Sequence, residues 1–206
     1  GQVKMIDDYV GRMLELIEER GELENTFVVF TSDHGHTIGD YDLNDKRWYY
    51  EQSVRVPLVM AGPGFPVDAR APANIRKELV SHVDLYATFL DAAGLEKTTG
   101  SGRRDTRSVL ALLDGRAPRR GEVFSELGTT MMVRDANWKL VFDREQGGVQ
   151  MLFNLRSDPL EERNLAGDPA YASAEALLLE KLLGQMIDLT RETHTKEQTN
   201  LQRVRV

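Results

Sequence analysis

Cysteine does not occur anywhere in the 206 residues, which excludes disulfide frameworks, cysteine zinc sites and cysteine nucleophiles within this chain. No run reaches the ~18 consecutive apolar residues of a membrane-spanning helix. Positive charge is not in excess: 26 Lys and Arg against 33 Asp and Glu leave a net charge of -7, with both signs interspersed. Without a basic face to neutralise phosphates, nucleic acid is not an expected partner. No Walker A loop, dinucleotide glycine fingerprint or Ser-His-Asp order is present. Gly1 opens an amphipathic pattern without an initiating methionine or a signal-peptide profile, so a fragment or a processed chain is expected. What is present, 41% hydrophobic and 29% charged residues, describes a soluble globular chain of one domain or two small ones. Cytoplasmic and secreted or periplasmic locations stay open.

Hydrophobic spacing gives the organisation. Ile6, Val10, Met13, Leu14 and Ile17 recur at helical period over 3–20, and Gly21 stands where a C-cap belongs. Phe27-Val28-Val29-Phe30 is too short for a helix and rich in strand formers, which predicts a buried strand of a parallel sheet. Leu58-Val59-Met60, bounded by Pro57 and Gly62-Pro63-Gly64, predicts a second. Between them, 48–54 fits a helical turn in which Glu51 and Arg55 can pair at i,i+4. A helix over 81–93 is marked by Ser81, Asp84 at the capping-box position, and Gly94. After a short helix at 108–113 the pattern changes to a strand meander at 122–126, 131–135, 138–142 and 150–155. A last helix spans about 170–190, with a polar tail that is expected to be poorly fixed. The fold class is thus α/β: a parallel-sheet portion over 1–115, then a small α+β subdomain over 116–206 with an antiparallel sheet and a C-terminal helix.

Polar residues just past a buried strand sit where open α/β sheets place ligands, and here they are Thr31-Ser32-Asp33-His34-Gly35. Asp33 and His34 can reach one divalent cation together, or simply form a hydrogen-bonded turn; two ligands do not complete a site. Lys46 can hold an oxyanion or be a solvated surface lysine, and Arg47 carries the same two readings. His36 is a substrate contact or an exposed turn residue. Trp48, Tyr49 and Tyr50 wall a pocket or pack a core. His82 and His194 read as structural or solvent-facing. From these residues alone the reading stops at an α/β domain with a possible crevice at 31–47.

The stretch Asn25-Thr26-Phe27-Val28-Val29-Phe30-Thr31-Ser32-Asp33-His34-Gly35, followed by Gly39-Asp40, Asp45-Lys46-Arg47 and Tyr50-Glu51-Gln52-Ser53-Val54-Arg55-Val56-Pro57-Leu58-Val59, resembles the sulfatase family of the alkaline phosphatase-like superfamily. Three later segments agree in order: Val80 to Leu90, Thr106 to Gly115, and Leu152-Phe153-Asn154-Leu155 through Asp158-Pro159 to Asn164-Leu165-Ala166. The resemblance implies that Asp33 and His34 are the second pair of ligands of a divalent metal, calcium first, with manganese or zinc as alternatives. It implies that Lys46 contacts the sulfate as the catalytic and substrate-binding lysine; His36, in the same segment, is kept as a candidate substrate contact from its position alone. It also implies a formylglycine nucleophile made from a Cys/Ser-x-Pro-x-Arg motif. That motif is absent here: there is no cysteine, and no serine has the required context. The chain therefore resembles the C-terminal portion of such an enzyme. The N-terminal half of the same protein is then an expected partner, and the 206 residues alone are expected to be inactive. Tyr41-Asp42 stands where many relatives have His-Gly, and His36 where an acidic residue is usual.

The substrate implied is a small-molecule or saccharide sulfate ester. A phosphonate or phosphate monoester hydrolase of the same superfamily is the competing enzyme reading, since imidazole suits manganese or zinc better than calcium. A non-catalytic module retaining the fold is the competing reading from another class. Homo-oligomerisation stays open.

Overall fold

The computed structural model describes residues 1–63, 65, 75–95 and 106–203, with side chains given to residue 190. The expected loop at 95–107 lies mostly outside them. In chain order the elements are α1 (Gln2–Glu19), β1 (Val28–Thr31), α2 (Glu51–Val54), β2 (Leu58–Ala61), α3 (Val83–Ala92), α4 (Val109–Leu113), β3 (Glu122–Leu127), β4 (Thr130–Asp135), β5 (Trp138–Asp143), β6 (Gly148–Asn154) and α5 (Ala172–Arg203). They fall into two compact units, Gly1–Gly35 with Arg55–Arg119, and His36–Val54 with Arg120–Val206.

In the first unit β1 and β2 pair antiparallel, from Val28↔Ala61 to Thr31↔Leu58. This corrects the parallel pairing expected of these two strands. A parallel return needs a crossover of a dozen or more residues, usually a helix. The intervening segment holds only single helical turns and bends, and the chain comes back in the opposite direction. Gly62, at φ 127, closes the pair: a Cβ there would lie 2.9 Å from Phe27 Cα and closer still to Thr26 O. Helix α1 forms over the expected residues, but none of them is buried. Burial in this unit centres on α3 and α4. The Asp84 carboxylate accepts Ser81 N–H (2.9 Å) and Arg107 N–H (2.8 Å), and Thr88 Oγ1 donates to Asp84 O while accepting Val109 N–H. The Asp84 contact to Ser81 is the return half of the expected capping box.

The second unit is built on the meander β3-β4-β5-β6, antiparallel throughout. Period-two alternation sorts its strands into two faces. Val133, Leu140 and Leu152 are register partners on one face and pack with Leu165, Leu178 and Leu182. Each such fully buried Leu or Val is worth about 1.5–3 kcal/mol. Met132, Val141 and Met151 are partners on the other face, where they meet Tyr49 and Val54. Lys181 fastens α5 to the sheet through Glu122 (3.2 Å) and Asp135 (3.3 Å). The helix runs on to Arg203, so the expected unfixed tail after Thr190 is helical instead.

Candidate active-site segments

Two segments carry the residues singled out from sequence, one in each unit. The first is the turn that leaves β1. Its backbone is held by Ser32 Oγ, which donates to His34 O (2.9 Å), and by His82 Nε2–H, which donates to Ser32 O (2.8 Å). His82 is thus structural, as expected. Asp33 is largely solvent-exposed, and its Oδ1 accepts the His34 N–H at 2.9 Å. That hydrogen bond, first among the causes, holds the Asp33 carboxyl below its usual range. It stays ionised, as a cation ligand must. His34 Nδ1–H donates to Gly35 O at 2.8 Å, so in a neutral imidazole the ring lone pair is the one on Nε2. Nε2 stands 3.3 Å from Asp33 Oδ2.

Two electron-pair donors turned toward each other at this separation suit one cation. Ligands about 2.0–2.4 Å from an ion, at right angles, stand about 3 Å apart. The second-sphere bond from Nδ1 to a carbonyl is the arrangement that orients metal-bound imidazoles. The residues present therefore fit a divalent cation. Among the described residues, no group of three or more His, Cys, Asp or Glu could hold one, and two donors do not complete a ligand set.

The second segment is 36–54. Thr37, fully buried, ties both ends of a small loop: Thr37 N–H and Oγ1–H donate to Asp45 O at 3.0 and 2.5 Å, and Asp45 N–H donates to Thr37 Oγ1 at 3.0 Å. Inside the loop, Tyr41 and Asp42 take left-handed φ of 56 and 58, a strained backbone for non-glycine residues. The Tyr41 ring stacks on Tyr50 at 4.1 Å, and its hydroxyl donates to Leu160 O. Lys46 follows directly, exposed, with its N–H donating to Asp45 Oδ1 (2.6 Å). Arg47 pairs with Asp45 at 3.1 Å. His36 is exposed at the start of the segment. Of the aromatic trio, Tyr49 is buried as packing and Trp48 is 41% exposed.

Glu51 does not serve the expected pair with Arg55. It faces Arg134 (3.1 Å) and Lys139 (2.7 Å), and Lys139 also contacts Glu161 at 2.6 Å with no exposure of either side chain. The buried Lys139 and Glu161 were not legible as special. A lysine inside a strand ordinarily reads as a solvent-facing residue.

The Sulfatase family model matches residues 1–95. A multifunctional alkaline phosphatase superfamily protein of Trinickia caryophylli is 31% identical over 199 residues, 84% of this chain and 36% of that protein. An N-acetylglucosamine-6-O-sulfatase of Bacteroides thetaiotaomicron is 28% identical, covering 87% of this chain and 33% of the relative. Among solved structures, the phosphonate monoester hydrolase of Silicibacter pomeroyi superposes with a TM-score of 0.75 at 29% identity, over 88% of this chain and 38% of that one. The chain belongs to the sulfatase/alkaline phosphatase-like superfamily. It spans about a third of the length of these curated relatives. Among the described residues, no helix is long and apolar enough to cross a membrane.

Proposed function

We propose that this chain is the C-terminal portion of a metal-dependent hydrolase of sulfate esters. Asp33 and His34 are two of its cation ligands, and Lys46 is its sulfate-contacting residue. The observation that carries the reading is the Asp33 Oδ2 to His34 Nε2 separation of 3.3 Å, with His34 Nδ1 hydrogen-bonded to Gly35 O. When bound, the divalent cation supplies Lewis-acid polarisation of the sulfate oxygens. The part played by this chain's own residues follows. Asp33 and His34 present a carboxylate and a neutral imidazole on a turn pinned by Ser32 and His82. The Lys46 ammonium offsets negative charge on the transferring group, and a fixed cation of this kind is worth most where that charge grows in the transition state. His36 is a further substrate contact. The nucleophile is a formylglycine contributed by polypeptide upstream, since these residues contain no cysteine and no Ser-x-Pro-x-Arg.

A sulfated saccharide is the favoured substrate class, by analogy with the N-acetylglucosamine-6-O-sulfatase relative. The second reading, a phosphonate monoester hydrolase, is favoured by the structural neighbour of that activity and by the imidazole ligand. The ratio of kcat/KM for an aryl sulfate and an aryl phosphonate monoester, measured on the intact enzyme, decides between them. In the same assay, Lys46→Ala lowers kcat/KM on the preferred ester by about a hundredfold, the usual cost of one transition-state charge contact. Unchanged kinetics would remove Lys46 from the site.

A further inference from the structure

Lys46 sits in a stretch that cannot hold itself. Residues 43–50 form no helix or strand, so the course of the backbone that carries Lys46 is set by what anchors it at either end. The Thr37–Asp45 bonds anchor the near end. At the far end, Tyr49 inserts its ring among Met132, Val141 and Met151, and its hydroxyl donates to Thr130 O at 2.9 Å. An apolar socket of this kind sets depth but only weakly sets position along the segment.

Position is set by charge. Lys139 projects from β5 toward the same face as Val141, with no exposed surface. The ammonium donates to Tyr49 O at 2.8 Å and lies in ion-pair contact with Glu51 Oε1 at 2.7 Å and Glu161 Oε1 at 2.6 Å. Glu161 in turn accepts the Glu51 N–H on Oε2 at 2.7 Å. Arg134 completes the set from β4, reaching Glu51 Oε1 at 3.1 Å. These contacts converge on residues 49–51, three to five positions beyond Lys46, and several engage the segment's main chain. A buried ion cluster is a poor way to gain stability, since well-packed apolar residues of similar volume often serve as well or better. Its best-attested use is to specify one register.

We propose that the Lys139–Glu161 pair is a positioning device for the reaction, locking Tyr49 O and the Glu51 N–H so that Lys46 is presented in one direction. The inference rests on the assignment of Lys46 to the sulfate. Neither Lys139 nor Glu161 touches substrate; both act through the segment they hold.

The test uses Glu161→Gln in the intact enzyme. Glutamine keeps the shape but offers one acceptor oxygen where two donors, Lys139 Nζ and Glu51 N–H, converge. Hydrogen exchange of the amides of residues 45–51 is expected to accelerate by about tenfold, while those of β3–β6 stay unchanged. Exchange rising equally across β3–β6 would make the pair a support of the core and overturn the proposal. The kinetic arm is a double-mutant cycle with Lys46→Ala. Glu161→Gln alone is expected to lower kcat/KM about tenfold, and to cost less than about twofold when Lys46 is already alanine. Full additivity in the cycle, with Lys46→Ala itself strongly impaired, overturns the positioning role alone. Unaltered turnover in Lys46→Ala overturns the reading of Lys46, and with it any role for the pair in the reaction.

Discussion

Replacing Lys139 by methionine removes the cation that, among the described residues, touches both the half-buried Glu51 and the buried Glu161. The side chain has no exposed surface, and neither does that of Glu161. Methionine fills much the same volume, so little of the cost comes from a cavity. What remains is electrostatic. Glu161 loses its only ion-pair partner among the described residues, Glu51 keeps Arg134 alone, and the Tyr49 carbonyl loses its buried donor. Breaking a buried pair by deleting one partner costs about 3–5 kcal/mol. For a protein about three times this length, as the relatives are, each kcal/mol lowers Tm by roughly 1 °C, so the expected loss is about 3–5 °C. Thermal unfolding of the intact enzyme at neutral pH, followed by circular dichroism, measures it. The double variant Lys139→Met with Glu161→Gln deletes one charge of each sign and leaves Glu51 with Arg134. It should recover more than half of the loss. A single variant melting within about 2 °C of the parent would show that the cluster is solvated and would refute the reasoning.

Gly62→Ala should lower Tm by at least as much as a loss on the order of 2 kcal/mol, because its φ of 127 and the 2.9 Å approach to Phe27 Cα leave no room for a methyl; an unchanged melting curve would contradict the tight β1–β2 closure. Glu51 supplies a pH signature. Burial pushes its carboxyl up, but Lys139 and Arg134 outweigh that and hold it below the ordinary value of 4.5. A carboxyl depressed by folding contributes stability that is full above 4.5 and is lost as pH falls through the lower, folded value. The Tm gap between the parent and Glu51→Gln should therefore be complete at neutral pH and close progressively as pH falls below 4.5 through the lower, folded value. Burial pushes the neighbouring Glu161 the other way, so the gap between the two proteins, and not the raw melting curve, isolates the Glu51 contribution. A gap constant with pH would refute it.

Most of the local structure was legible in the sequence because its causes are local. The periodic apolar residues of 3–20 give α1, and the positive φ that glycine tolerates ends α3 at Gly94 and turns the meander at Gly128 and Gly147. The strands of the meander were found to within two residues of either end. What failed to show was pairing at a distance. Phe27 to Phe30 reads as a strand, but nothing in those four residues says which way its partner runs. The apolar stripe of α1 likewise predicts a helix without saying what lies over it, and Ile6 and Met13 stand about half exposed. Asp33 and His34 were found as neighbours in sequence, and the structure adds the 3.3 Å approach and the Nδ1 contact to Gly35 O. Glu51 looked destined for Arg55, four residues on, because helical spacing is the only geometry that sequence offers. Its partners, Arg134 and Lys139, lie 83 and more positions away. Lys139 itself gave no signal: burial of a strand lysine depends on segment 36–54 covering that face of the sheet.

The central question for this protein is whether the turn after β1 is half of a metal site. Crystals of the intact enzyme grown with manganese, examined by anomalous scattering, answer this directly. The expected result is an anomalous peak within about 2.5 Å of both an Asp33 carboxylate oxygen and His34 Nε2. A fully occupied metal site bound through other side chains, with Asp33 and His34 both remote from it, would contradict it.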